Sequence, residues 1–120
     1  MILDTNAVTA LLEGDRDLSK RLAGRDRHHL PVIVVGEYTF GLLGSRARGT
    51  LGGLLALLVG QSEILPIDID TTRHYAEVRR QLKKDGRPIP ENDVWIAALA
   101  RQHELPIVSR DGHFDHVMGL

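Results

Sequence analysis

The sequence predicts an α/β fold, a three-layer α/β/α sandwich in which helices cover both faces of a central, mainly parallel sheet. Short apolar runs that suit strands, such as "EILPI" at 63–67, alternate along the chain with longer helical segments. The 120 residues suit one compact domain, and no repeat or low-complexity linker divides them. No cysteine is present, so we expect packing rather than disulfides or thiolate-bound metal to hold the core of a single domain, 1–120.

The first elements follow from cap residues. "MIL" is a short apolar run, and "DTN" after it supplies side chains that cap helices. This order predicts a strand that ends at Asp4 and a helix that stops near Gly14. The segment 15–24, "DRDLSKRLAG", is typical of a second short amphipathic helix.

The segment after these helices supports two interpretations. The β-branched residues at 32–35 favour a strand by propensity. Apolar residues spaced four apart from Val34 to Leu42 favour a helix instead. We expect a strand at 28–30 and a helix from about Pro31, because proline is tolerated in the first turn of a helix.

The second half of the chain predicts five more elements. In chain order they are a hydrophobic helix over 49–60, a strand over 63–67, a helix over 70–86, a helix over 92–104 and a strand over 106–109, with a turn at 110–113. Binding sites in open parallel sheets form beyond the carboxyl ends of the strands. Acidic residues near those ends are therefore the first candidates for function.

Four acidic residues fit that rule. Asp4 follows the first strand, Asp111 follows the last, and Asp93 lies in the first turn of the helix that leads into the last strand. Glu37 lies within an apolar stretch, where an unpaired glutamate is rare. Each aspartate also has an ordinary structural explanation: a helix cap, a charge that complements the helix dipole, or an Asp-Gly turn.

Convergence of these acids would require a cation. Two carboxylates about 5 Å apart repel each other by roughly 3 kcal/mol at an effective dielectric constant of about 20. Four such groups would therefore need a bound cation or partial protonation. Oxygen ligands in a chain without cysteine favour Mg²⁺ or Mn²⁺, and such ions suit phosphoryl chemistry. Composition and spacing thus predict an acidic metal site without identifying its substrate.

Four segments resemble the acidic motifs of PIN-domain ribonucleases, and most closely those of the VapC toxins of VapBC toxin–antitoxin modules. These segments are "ILDTN", "VGEYTFG", "PIPENDVWIAALA" and "LPIVSRDGHFDHV". The resemblance runs from Ile2 to Leu120, and the third and fourth motifs are the most specific. It implies a PIN-like α/β/α sandwich, in agreement with the predicted elements.

The resemblance also implies roles for individual residues. The acids of the family fall on Asp4, Glu37, Asp93 and Asp111, and its accompanying small polar residues fall on Asn6 and Ser109. Asp4, Asp93 and Asp111 would hold one or two metal ions, and Glu37 would complete the pocket as a ligand or by orienting the attacking water.

The fourth motif departs from the family pattern. His113 stands where many relatives carry an acid before the phenylalanine of that motif, and Asp115 lies on the other side of Phe114. Asp115 is therefore a candidate substitute for Asp111. The spacing of His113 and His116 would also suit a metal if that segment were helical, although a solvated turn is the simpler interpretation.

The activity implied by the resemblance is Mg²⁺- or Mn²⁺-dependent endonucleolytic cleavage of single-stranded or structured RNA. The N-terminal segment "MILDTNAV" has no basic leader and no long apolar run, so we expect a cytoplasmic protein. The implied partners are an RNA substrate, a cognate antitoxin protein that occludes the site, and a second copy in a homodimer. The longest uncharged stretch, at 49–62, is rich in glycine and too short to span a bilayer, so no membrane partner is expected. The segment "LGGLLALL" within it suits either the core or a dimer or antitoxin interface.

RNA contacts must come from local patches, because the net charge is −1. The basic residues that are candidates for phosphate contacts are Arg46, Arg48, Arg79, Arg80, Lys83 and Lys84. A solvated helix face explains the last four equally simply. For Trp95, apolar neighbours favour core packing over base stacking.

Three other functions compete with a toxin ribonuclease. The first is a nuclease of RNA maturation without a toxin role. The second is a receiver-like Mg²⁺-binding signalling domain, for which Asp68 or Asp70 would be the phosphoacceptor, although "PIVSRDG" lacks the lysine that such domains carry near the last strand. The third is a binding module without activity, which the presence of all four acids disfavours.

Overall fold

The computed structural model describes residues 1–23, 27–109, 114 and 117. Two ranges of the fourth motif, 110–113 and 115–116, lie outside the described residues, as do 24–26 and 118–120. The predictions for Asp111, His113, Asp115 and His116 and for the turn at 110–113 therefore stay predictions.

The described residues form four strands and six helices. The strands are β1 (Ile2–Leu3), β2 (His29–Pro31), β3 (Glu63–Leu65) and β4 (Ile107–Val108). The helices are α1 (Thr5–Leu12), α2 (Arg16–Leu22), α3 (Val32–Leu43), α4 (Arg48–Gln61), α5 (Ile69–Asp85) and α6 (Glu91–His103). Every predicted element within these ranges is present. Strands β1, β3 and β4 are shorter than predicted, whereas β2 has the predicted length and begins one residue later.

The sheet is entirely parallel, with the strand order β3-β2-β1-β4. Ile2 is in register with Ile107 on one side and with His29 on the other. Helices pack around this sheet: α1 contacts α2, α3 and α4, whereas α5 packs along α6. The predicted α/β class is confirmed, and the first and last strands lie side by side, which brings their carboxyl ends together.

The competition between strand and helix at 32–35 is resolved in favour of the helix. Val34, Tyr38 and Leu42 are the buried residues of α3, as the spacing of four predicts. The strand propensity of the β-branched residues is overridden because one face of the helix is buried against the core.

Helix α6 lies in the core along most of its circumference. Its six buried residues are Val94, Ile96, Ala97, Ala98, Leu99 and Ala100. Trp95 differs from the prediction of core packing, because it is half-buried and stacks on Tyr75 with ring centroids 3.9 Å apart. The small alanine side chains allow close approach of neighbouring elements, so the start of α6 is held firmly in place.

A polar network fixes the other end of the α5–α6 pair. Asp68 caps α5 by accepting a hydrogen bond from the Thr71 backbone N–H at 3.1 Å, and Gln102 of α6 donates to the same carboxylate at 3.1 Å. The Thr71 N–H, followed by the Gln102 side chain, lowers the pKa of Asp68. Within the described ranges, no helix is both long enough and apolar enough to cross a membrane.

Alanine substitutions of Gly86, at the end of α5, and Gly53, inside α4, should change the free energy of unfolding in opposite directions. Gly86 ends α5 with φ 66°, which a Cβ disfavours, so Gly86→Ala should lower the free energy of unfolding by about 1 kcal/mol. Gly53 is exposed inside α4 with open space at its Cβ position, so Gly53→Ala should raise it by about 0.5–1 kcal/mol. Urea denaturation measures both changes, and equal signs would contradict these assignments.

Candidate active site

Asp4 is a buried carboxylate at the carboxyl end of β1. It is 1% exposed, and its Oδ1 accepts a hydrogen bond from the Ala7 backbone N–H at 2.8 Å as the N-cap of α1. Its Oδ2 accepts a second bond from the Ser109 hydroxyl at 2.5 Å, just beyond β4. Capping alone explains neither the burial nor the second bond. The two bonds offset the cost of burying the charge and fix the orientation of the carboxylate.

Glu37 approaches the same region from α3. Its Oε1 accepts a hydrogen bond from the hydroxyl of Thr5 at 2.9 Å, and Thr5 directly follows Asp4. The side chain is half-buried rather than enclosed by the apolar stretch in which it occurs. Glu37 therefore has both a fixed position and an approach to solvent.

Asp93 lies in the first turn of α6 and is half-buried. Helix α6 begins after Pro90, whose side chain offers no cap for the first backbone N–H groups. Asp93 therefore complements the positive end of the helix, as the ordinary explanation requires. That role does not compete with a site, because the buried remainder of α6 holds this carboxylate in place.

A cleft of about 360 Å³ brings these groups together. Its lining consists of Asp4, Thr5, Asn6, Glu37, Pro90, Glu91, Asn92 and Asp93. Three of the four predicted acids and Asn6 thus face one cleft from three different helices, and Ser109 reaches it through Asp4. The fourth predicted acid, Asp111, is outside the described residues.

Glu91 is an acid of the cleft that the sequence interpretation missed. Its Oε1 accepts a hydrogen bond from the Tyr75 hydroxyl and lies 3.9 Å from Nη1 of Arg79. That hydrogen bond raises the pKa of Tyr75, so the phenol stays protonated and donates at neutral pH. The signal in the sequence was its position two residues before Asp93, which places both acids in one helical turn.

The donors of the cleft suit a hard divalent cation. The carboxylates of Asp4, Glu37 and Asp93 and the amide of Asn6 offer oxygen ligands, the type that Mg²⁺ and Mn²⁺ prefer. Among the described residues, however, no three His, Cys, Asp or Glu side chains form a group that could hold a metal ion. A cation at this cleft would therefore draw further ligands from water or from residues beyond the described part.

The predicted RNA-contacting residues separate into distinct places. Arg79 and Lys83 line a groove of about 430 Å³ that shares Glu91 with the cleft. Arg80 and Lys84 are exposed on α5 and do not line that groove. Arg46 and Arg48 are exposed between α3 and the first turn of α4.

Comparison with known proteins identifies the family. The sequence model of the PIN domain matches residues 1–120. The chain belongs to the PIN domain family. Ribonuclease VapC5 of Mycobacterium tuberculosis is 35% identical over 115 residues, covering 94% of this chain and 84% of that protein. PIN-domain VapC nucleases generally depend on a divalent metal, which agrees with the oxygen donors of the cleft.

Solved structures of PIN domain proteins share the fold. VapBC-5 from Mycobacterium tuberculosis, a member of the VapBC family of toxin–antitoxin systems, superposes with a TM-score of 0.77 and 31% identity over 95% of this chain and 86% of that one. DNA-bound VapBC from Salmonella typhimurium gives a TM-score of 0.90 over 99% and 92% of the two chains. At 22% identity, the second comparison supports the fold alone.

Membership of the PIN domain family argues against the alternative of a receiver-like Mg²⁺-binding signalling domain. Asp68, one of the two nominated phosphoacceptors, caps α5 and accepts hydrogen bonds from Thr71 and Gln102. A phosphoacceptor needs an approachable carboxylate beside the metal. Asp68 is exposed but caps a helix, and neither Asp68 nor Asp70 lines the acidic cleft.

Proposed function

We propose that residues 1–120 form a single PIN domain that acts as a metal-dependent endoribonuclease, the toxin of a type II toxin–antitoxin pair. The observation that carries the proposal is the convergence of Asp4, Glu37 and Asp93 on one cleft. The similarity to ribonuclease VapC5 of Mycobacterium tuberculosis supports the substrate class. The proposal includes a cytoplasmic location, where RNA substrates are present.

The proposed ligands of Mg²⁺ or Mn²⁺ are Asp4, Asp93 and Asp111, with Asp115 as the substitute for Asp111. A bound divalent cation supplies Lewis acidity toward the scissile phosphate and the attacking water. Glu37, fixed by Thr5, completes the pocket as a further ligand or by orienting that water.

Ser109 and Asn6 are proposed to orient the carboxylates of the cleft. Ser109 donates to Oδ2 of Asp4 and thereby fixes the carboxylate, and Asn6 is proposed to serve the same purpose from the lining of the cleft. In-line attack by water then adds a hydroxyl to the phosphorus and a proton to the departing 3′ oxygen. The products are a 5′-phosphate and a 3′-hydroxyl.

The antitoxin is proposed to cover apolar side chains of α3 and α4. Phe40 and Leu43 of α3 are 79% and 69% exposed, and Leu57 of α4 is 63% exposed. In "LGGLLALL", Leu55 and Leu58 face the core. One side of the segment therefore packs in the core, and the other side exposes apolar surface that supports the proposed antitoxin interface. The homodimer stays a prediction.

Substitution of Asp93 tests the catalytic assignment. Asp93→Asn should reduce Mg²⁺- or Mn²⁺-dependent RNA cleavage at least about a hundredfold, since even outer partners of metal ligands contribute about 10–100-fold. Asp85→Asn, the same change at an exposed position near the end of α5, should leave cleavage unchanged. Purified proteins and labelled RNA give both rates. Full activity in Asp93→Asn would overturn the assignment.

Substitution of Phe40 tests the proposed partner surface. Phe40→Ser should weaken the complex with the cognate antitoxin protein at least about tenfold, as is typical for exposed aromatic anchors. Ile69→Ser is the matched control, because Ile69 is 82% exposed at the start of α5. Titration calorimetry measures both affinities. Equal affinities for Phe40→Ser and the unsubstituted chain would exclude this surface. Two results together would favour a nuclease of RNA maturation over a toxin. No protein encoded by an adjacent gene would bind this chain, and expression of the chain would leave cell growth unchanged.

A further inference from the structure

The groove beside the acidic cleft combines cationic and apolar walls. It has a volume of about 430 Å³, within the range of roughly 300–1,000 Å³ that is typical of ligand sites. Its walls come from the last turns of α5, the connecting loop and the start of α6: Arg79, Leu82, Lys83, Gly86, Pro88, Ile89, Glu91 and Val94.

The groove lies beside the catalytic cleft. Glu91 lines both spaces and separates them. Arg79 and Tyr75 hold the Glu91 side chain: Arg79 donates to the Tyr75 hydroxyl at 2.7 Å, and that hydroxyl donates to Glu91. The boundary between the two spaces is therefore fixed by contacts from a neighbouring helix.

The two cations of the groove share one face of α5. Arg79 and Lys83 are four residues apart, which places them one above the other along the helix. Arg79 is partly neutralised by Glu91, with Nη1 and Oε1 3.9 Å apart. Lys83 forms no ion pair with any residue that the structure describes. Its charge is thus available to an anionic ligand at the end of the groove away from Glu91.

The apolar walls indicate what accompanies the anion. Pro88 and Ile89 follow Gly86 in the loop, and Val94 and Leu82 contribute the facing walls. A simple polyanion track would not need such walls, and an apolar peptide would not need two cations. A nucleotide has both a phosphate and an apolar base face, and single-stranded nucleic acids are bound by this combination.

We propose that this groove is the subsite for a nucleotide that flanks the scissile phosphate in single-stranded RNA. Lys83 and Arg79 bind its phosphate, and the base packs against Pro88 and Ile89. This subsite rests on the proposed ribonuclease function. It selects Arg79 and Lys83 from the basic cluster of α5 and leaves Arg80 and Lys84 as solvated residues.

The neighbouring lysines allow a matched test. Lys83→Ala and Lys84→Ala remove the same charge from adjacent exposed positions, but only Lys83 lines the groove. A pool of random-sequence single-stranded RNA oligonucleotides is bound to each protein in EDTA, so that cleavage does not consume the probe. Lys83→Ala should weaken binding about fivefold and reduce the salt slope by about 0.7. Lys84→Ala should change neither quantity.

The apolar wall needs a second variant. Ile89→Ser should weaken binding of single-stranded RNA about threefold and leave the salt slope unchanged, because it removes packing and no charge. Circular dichroism verifies that each variant is folded. In the presence of Mg²⁺, Lys83→Ala should raise KM with little change in kcat.

The results of these measurements distinguish failure of the subsite from failure of the nuclease activity. Equal losses for Lys83→Ala and Lys84→Ala, or no loss for Lys83→Ala and Ile89→Ser, would overturn the subsite even if the chain cleaves RNA. Groove-dependent binding without cleavage by the unsubstituted chain would support a nucleotide site in the groove and refute the proposed nuclease activity. Duplex RNA is the second probe, and a Lys83→Ala loss seen with duplex RNA but not with the single-stranded pool would also overturn the proposal.

Discussion

The hydrogen bond from the Ser109 hydroxyl to Oδ2 of Asp4 joins the end of β4, the last strand among the described residues, to the end of β1. Because β1 and β4 are parallel neighbours in register, their carboxyl ends open at the same edge of the sheet. The Asp4 carboxylate is buried there, and it tolerates burial because Ser109 and the Ala7 N–H both donate to it. The other groups of the cleft are arranged around this fixed charge.

Two helices bring their acids to that point in different ways. Helix α3 carries Glu37, which is tied to the start of α1 by Thr5. Helix α6 carries Asp93 in its first turn, and its buried alanines pack it tightly into the core. The apolar packing of α6 thus both stabilises the fold and fixes the position of the helix turn that carries Asp93. Such a site concentrates like charges, which a divalent cation would neutralise on binding.

The sequence predicted the fold and most of this cleft because both follow from short-range patterns. The spacing of Val34 and Leu42 predicted a helix over β-branched residues, and Asp4 was placed by its position after the first apolar run. What the sequence could not supply was the direction of exposed side chains. The sequence did not indicate that Glu91 lines the cleft. It also did not distinguish Arg79 and Lys83, which line the groove, from Arg80 and Lys84, which do not. These distinctions depend on tertiary contacts between α5 and α6, which no local pattern encodes.

We propose that Ser109 holds Asp4 in the orientation that binds a divalent cation. Calorimetric titration of Mn²⁺ into the purified chain tests it directly and independently of catalysis. The account predicts saturable binding that Ser109→Ala weakens about 10–100-fold and that Asp4→Asn abolishes. Identical Mn²⁺ affinities for the unsubstituted chain, Ser109→Ala and Asp4→Asn would contradict it.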